Sequence, residues 1–168
     1  MSTVQGTLAK GIQLLEKFIV SISNPEINRI DIWIKPEDLK PAVLALIENH
    51  WGYLITITGL DHSPVIDDEG VTVTEGTIEG LYHFAEESVI ITIRVKVNYS
   101  SPKIYSICDI IPSATLYERE FIELFGVEII DTPDTSHLVL PDGWPEKVYP
   151  LRKSFSGLTE ELISGKVS

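Results

Sequence analysis

Only one cysteine, Cys108, occurs in the 168 residues. No internal disulfide can form, and the four thiolates that an iron–sulfur cluster ordinarily takes are not there. A reducing, cytosolic setting is therefore expected. Cations are scarce as well: 13 Lys and Arg stand against 25 Asp and Glu, a net charge of −12. A chain with that balance lacks the basic surface that displaces counterions from nucleic acid or an anionic membrane, so no nucleic-acid partner is expected. No apolar run reaches the roughly 20 residues needed to span a bilayer. The start Met1-Ser2-Thr3-Val4-Gln5-Gly6 lacks the basic residues and apolar core of a signal peptide. Any contact with a membrane is expected to be indirect, through other proteins.

Signatures of small-molecule chemistry are missing too. No Gly-x-Gly-x-x-Gly, Walker loop or Gly-x-Ser-x-Gly elbow occurs. His50, His62, His83 and His137 are scattered, with no pair at helical ligand spacing, and read as structural or surface residues. The pair Asp61-His62 after Gly59 is the sharpest of these and reads as a turn. No metal or cofactor site is expected on this chain. Glu118, Glu120 and Glu123 offer carboxylates for acid–base work, but that work needs a cleft and a shifted pKa. A solvated or interfacial helix face is the favoured reading.

A chain of this length is most simply one domain, large enough to bury roughly 70% of its unfolded surface. Leu8, Ile12, Leu15, Ile19 and Ile22 recur at three and four, predicting a helix over Thr7–Ile22 with one buried stripe. Ile30–Ile34 alternates as a strand. Lys35-Pro36-Glu37-Asp38 opens a second helix with acidic residues in its first turn, running toward Gly52 and starting late because of Pro41. Tyr53–Thr58 predicts a strand ended by Gly59, followed by an acidic, turn-rich loop from Asp61 to Gly70. Ile78–Phe84 and Val89–Val97 predict two more strands joined tightly through Glu86-Glu87-Ser88. In the second, Val89, Ile91, Ile93, Val95 and Val97 share one face, and Thr92, Arg94 and Lys96 the other. Ile107–Ile111 also reads as strand. The fold class is α+β, a mostly antiparallel sheet with helices on one face.

The segment after Pro112 is the best marked. Thr115 and Glu118 have the spacing of a capping box, and Gly126 supplies a left-handed stop. Tyr117, Phe121, Leu124 and Phe125 share a face, while Arg119 and Glu123 stand four apart and can pair on another. Beyond Asp131 come Pro133, Pro141, Pro145 and Pro150, each removing a backbone donor. We expect an α+β domain over 1–130 and an extended, stiff tail over 131–168. Trp144, Tyr149, Leu151 and Arg152 on that tail are the residue types that anchor partner surfaces. Folding back onto their own sheet is the open alternative.

The combination Ile93-Arg94-Val95, Ser106-Ile107, Pro112-Ser113-Ala114, Tyr117-Glu118-Arg119-Glu120, Leu124-Phe125-Gly126, Leu140-Pro141-Asp142-Gly143-Trp144 and Pro150-Leu151-Arg152-Lys153 resembles the thirty-kilodalton subunit family of respiratory complex I, the NADH dehydrogenase of respiratory chains. That family has relatives in energy-converting, membrane-bound hydrogenases. The likeness is close from Leu81 to Phe155. It implies a peripheral-arm subunit with no cofactor of its own, on the cytoplasmic side of the cell membrane. It also implies packing against a large catalytic subunit and an iron–sulfur subunit, so that iron–sulfur clusters and nickel–iron belong to partner subunits. The resemblance carries Glu118, Arg119, Glu120, Phe125, Gly126, Arg152 and Lys153 over as interface positions; Trp144, Tyr149 and Leu151 join them from composition.

This chain departs from the family at Leu116, where many members have tryptophan, and at Glu123, where aspartate is usual. The segment Asp131-Thr132-Pro133-Asp134-Thr135-Ser136-His137 replaces the Gly-His-Pro-Asp and double arginine of quinone-reducing members. The tail is closer to the hydrogenase-type branch. The expected role is a non-catalytic subunit of a membrane-bound, ion-pumping oxidoreductase of hydrogenase or sulfur-reductase type. The alternatives are a subunit of an NADH or ferredoxin quinone oxidoreductase, and a free-standing acidic enzyme using the helix carboxylates. Truncation before Leu138, or Arg152→Ala, is expected to leave the domain folded and weaken assembly.

Overall fold

The computed structural model describes residues 3–159. Helix α1, Val4–Leu15, is capped by the Thr3 hydroxyl, which accepts from the Gly6 amide at 3.2 Å. It ends sooner than its apolar spacing suggests. A single 3-10 turn, Glu16–Phe18, follows, and Ile22 falls in strand β1, Ser21–Glu26. The serines, Asn24 and Pro25 give that stretch little helical preference. β1 pairs antiparallel with β2, Arg29–Trp33. Pro36–Asp38 forms a 3-10 turn before α2, Leu39–Glu48, so the helix does start late.

Strand β3, Tyr53–His62, does not stop at Gly59 but runs through it. The acidic loop beyond it holds a small hairpin of β4, Val65–Ile66, and β5, Thr72–Thr74. The Asp67 carboxylate closes its turn by accepting from the Glu69 and Val71 amides. Asp61 and His62 are thus the last rungs of a strand and not a turn. Strands β6, Thr77–Glu86, and β7, Val89–Asn98, form a ten-rung hairpin whose turn residue Glu87 has φ 52°.

The main sheet has the order β1-β2-β7-β6-β3, antiparallel except for the β2–β7 pair. Its class is α+β and its sheet mostly antiparallel, as the element pattern implies. Ile91, Ile93 and Val95 are buried on one face together with Ile32, Ile78, Tyr82, Phe84 and Trp51. Strand β8, Lys103–Tyr105, pairs parallel with β9, Glu128–Ile130, and brackets α3, Ala114–Phe125. Ile107–Ile111 is not a strand. The amides of Ile110 and Ile111 both return to the Ile107 carbonyl, at 3.0 and 2.8 Å, and fold the run into a turn leading to Pro112.

Among the described residues the three α-helices lie over one face of the sheet. A β-carbon at Gly11 would meet Ile91 and Trp51, and one at Gly59 would meet the rings of Phe121 and Phe125. Gly59 pairs with Gly80, and Gly80 with Val95, so both contacts fall on the Val95 side. The glycine at 59 lets α3 approach β3 closely. Phe121 and Phe125 pack edge to face there at 5.6 Å, a favoured aromatic geometry.

Candidate partner interface

Helix α3 sends its polar side chains to three destinations, and none is the one that local spacing suggests. The N-terminal position is held by Ser113 with no side-chain cap, and the Thr115 hydroxyl donates to the Pro112 carbonyl at 2.9 Å. No capping box forms. Glu118, 1% exposed, turns inward. Its carboxyl oxygens accept from Ser106 Oγ at 2.8 Å, the Ile107 amide at 2.9 Å and Cys108 Sγ at 3.1 Å. A buried polar group needs its partners inside the protein, and this one pins the turn after β8 to the helix. Burial pushes the Cys108 thiol up; Ser106 and Thr115 pull against this, and Glu118 adds to it. Glu118 is therefore neither solvated nor set in a cleft where a substrate could reach it.

Arg119 and Glu123 do not pair with each other; both hold the segment after β9. Arg119 donates from Nε to the Ser136 carbonyl at 2.8 Å and from Nη2 to the His137 carbonyl at 2.6 Å, and lies 3.4 Å from Asp134. Glu123, 7% exposed, accepts from three successive amides, Leu138 at 3.1 Å, Val139 at 2.7 Å and Leu140 at 3.2 Å. His137 Nδ1 stands 3.5 Å from it. Hydrogen bonds from the Ser136 hydroxyl and amide, with the Arg119 charge, hold the Asp134 carboxyl below its usual value.

From Asp131 to Thr159 the described chain has turns but neither helix nor strand. It returns over the C-terminal end of α3. Gly126 takes the left-handed conformation at φ 70°, its amide bonds the Ile122 carbonyl, and Tyr149 lies where a β-carbon would stand. The Leu151 amide donates to the Leu124 carbonyl at 3.1 Å, and Arg152 Nε to the Phe125 carbonyl. The Arg152 guanidinium lies 4.5 Å from the Tyr99 ring centre and 5.6 Å from that of Tyr149. A cation on the last carbonyls of a helix is favoured by the helix dipole. The Lys153 amide donates to Asp61 Oδ2 at 2.7 Å, and Tyr99 donates its hydroxyl to the same carboxylate. Trp144 Nε1 donates to the Val148 carbonyl at 2.7 Å, and its ring faces Phe155 at 6.2 Å.

The ten positions marked in the sequence thus divide. Glu118, Phe125 and Arg152 are engaged within their own chain, and Gly126 and Tyr149 against each other. Leu151 is 52% exposed and, with Glu120, Ile57 and Leu124, borders a small groove between α3 and the free edge of β3. Leu116, Leu138 and Val139 are also exposed on or beside α3. The Lys153 side chain faces solvent. Truncation before Leu138 would strand the Glu123 carboxylate without its three donors, so it would not leave the fold untouched.

Spacing missed two further groups. Asp61 ties β3 to the tail. On the helix-free face, Arg94 bonds Glu79 through Nε and Nη2, both at 2.9 Å, and Asp31 through Nη1 at 2.8 Å. Trp33 Nε1 and His62 Nε2 each lie 2.7 Å from Glu79, and the guanidinium sits 4.5 Å from the Trp33 ring centre. The one available signal was a charged residue at the same phase of three strands, Asp31, Glu79 and Arg94. Among the described residues no group of three or more His, Cys, Asp or Glu side chains is placed to hold a metal ion. Nor is any helix among them long and apolar enough to cross a membrane.

Residues 32–161 match the family described as the respiratory-chain NADH dehydrogenase 30 kDa subunit. The chain is similar to the membrane-bound hydrogenase subunit beta of Pyrococcus furiosus, 28% identical over 148 residues, covering 88% of this chain and 75% of that protein. It is 43% identical over 63 residues to formate hydrogenlyase subunit 5 of Escherichia coli, covering 38% of this chain and spanning only 11% of that protein. Its fold is similar to a chain of the membrane-bound sulfane sulfur reductase, an archaeal respiratory membrane complex. There the TM-score is 0.65 at 20% identity, covering 93% of this chain and 88% of that one.

Proposed function

Because the chain belongs to the family of respiratory-chain NADH dehydrogenase 30 kDa subunits, we propose that it is a non-catalytic, peripheral subunit of a membrane-bound, complex I-like oxidoreductase of the hydrogenase or sulfur-reductase type. It stands on the cytoplasmic side and supports a large catalytic subunit and an iron–sulfur subunit, which hold the iron–sulfur clusters and the nickel–iron. The observation that carries this reading is the length of the hydrogenase match, 88% of the chain. The geometry supports it through the exposed apolar residues Leu116, Leu138, Val139 and Leu151 beside a helix whose Glu118, Arg119 and Glu123 are bonded within the chain. Exposed apolar residues clustered on one face fit a partner surface. The interface positions are then Leu151, Glu120, Trp144 and Lys153 on the outside. Glu118, Arg119, Phe125, Gly126, Tyr149 and Arg152 shape the surface from beneath, within the domain bounded by residue 130 and the tail beyond it.

The test is detergent solubilisation of membranes carrying the full chain or its Leu151→Asp, Val139→Asp double variant. Native electrophoresis and mass spectrometry of the companions follow. Both leucine and valine side chains are exposed, so the variant is expected to keep the wild-type melting temperature within a few degrees and to lose its companions. A full-yield complex from the variant overturns the interface. Companions without a hydrogenase or sulfur-reductase subunit overturn the branch.

A further inference from the structure

Helix α2 carries more apolar surface than its own chain covers. From Pro41 to Ile47 seven consecutive residues are apolar. Leu39, Ala42, Val43 and Leu46 are buried against the core. On the opposite side Pro41, Leu44 and Ile47 stand three apart; Pro41 is exposed, Leu44 is 39% exposed and Ile47 half-buried. A helix lying on a sheet ordinarily turns polar residues outward, and one that is apolar all round belongs in an interior.

The outer stripe is one wall of a groove of about 820 Å³, with Tyr105 of β8 and Ile110 of the following turn as the other. Tyr105 is 47% exposed. The rim is acidic. Glu37, Asp109 and Asp131 border it, and Lys40, the one cation lining it among the described residues, lies 2.8 Å from Asp109. Glu37 and Asp131 leave the rim with net negative charge. Asp131 also holds φ 64° immediately after β9, a conformation a non-glycine residue adopts at some cost.

We propose that this groove is a second assembly surface, filled by an amphipathic helix of a partner protein whose apolar stripe lies on Pro41, Leu44 and Ile47 and whose lysines or arginines meet the carboxylate rim. A ridge of residues three apart fits the groove of a second helix. Two other occupants conflict with the charges. An anionic lipid surface would be repelled by the rim, and a second copy of a chain carrying −12 would bring like charges together. The inference rests on the chain's being a subunit, and adds a face centred on α2.

The experiment places p-benzoylphenylalanine at Leu44, and separately at Leu151, in the full chain within its native membranes, followed by irradiation and sequencing of the cross-linked peptides. At Leu44 the expected product joins a partner peptide with apolar residues at helical spacing and Lys or Arg flanking them. Glu37→Arg is expected to cut that yield at least fivefold while leaving the melting temperature unchanged. Cross-linking at Leu44 to lipid, to a second copy, to an extended acidic segment or to nothing overturns the proposal, as does full yield with Glu37→Arg. If Leu151 cross-links to a companion and Leu44 does not, only this inference fails; if neither does, the subunit reading fails with it.

Discussion

Glu123 acts as a cap for a chain segment that has no secondary structure of its own. Three consecutive amides, of Leu138, Val139 and Leu140, converge on its two oxygens. Hydrogen bonds to a charged acceptor contribute about 1.5–3 kcal/mol, and a buried donor left unpaired costs a comparable amount. Glu123→Gln keeps the shape but offers one carbonyl oxygen and turns an NH2 group toward backbone donors. The variant is expected to loosen the tail by about 1–3 kcal/mol without unfolding the sheet. Hydrogen exchange reads this directly. Protection of the three tail amides should fall about tenfold or more, while amides of the β6–β7 hairpin keep theirs. Equal losses in both places would mean that the tail and the sheet open as one unit. Glu118 differs in kind, because its donors come from the turn after β8, inside the fold. A loss there would reach the core.

At the scale of elements, α3 is fixed by how it ends. Gly126 at φ 70° lets the chain turn back so that Tyr149 covers the turn. Gly126→Ala combines a left-handed alanine, at roughly 1–2 kcal/mol, with a methyl group driven into the Tyr149 ring. The melting temperature should drop by several degrees. In the Tyr149→Ala background the same change should cost less, and the difference between the two is the steric share. A coupling of zero would place Tyr149 away from the turn. The left-handed stop was legible because it is a local property of glycine after an amphipathic run. So were β2, β6 and β7, whose alternation reports one buried face directly. The capping box and the Arg119–Glu123 pair were equally local in pattern yet did not form, because both carboxyl groups found better donors in segments distant in sequence. Tertiary burial overrides a surface pairing worth a few tenths of a kcal/mol. The strand expected over Ile107–Ile111 failed for a related reason. Its amides are taken by Ile107 and Glu118, and no neighbouring strand is left for them. Asp61 was hidden because a Gly-x-Asp-His sequence looks like a turn until β6 is placed beside it.

For the whole molecule, two opposing effects act on stability as the pH falls. A chain at −12 relieves its self-repulsion on acidification, which favours the compact state. The helix-free face acts in the other direction. Burial lowers the His83 pKa below its ordinary 6.5, and the Arg29 and Arg94 charges lower it further against Asp31. Its ring lies 3.1 Å from Thr92 Oγ1 and 3.0 Å from Thr58 Oγ1. Burial alone would raise the Glu79 pKa, but hydrogen bonds from Arg94 and His62, with the Arg94 charge, hold it below 4.5. Both groups bind protons more readily unfolded than folded, so each contributes stability above its ordinary pKa that is lost as pH falls through its folded value. Their contribution to the melting temperature should therefore decline in two stages, one starting near pH 6.5 from His83 and one below about 4.5 from Glu79. Self-repulsion complicates the absolute curve but is nearly the same in a single variant. His83→Gln keeps a group able to bond both threonines and removes the titration. Subtracting the melting curves of wild type and variant at each pH cancels the net-charge effect. The difference should be flat well above pH 6.5 and move in the variant's favour as the pH falls below it. A difference that moves the other way would show that the folded protein holds His83 protonated, and that Asp31 outweighs burial and the two arginines.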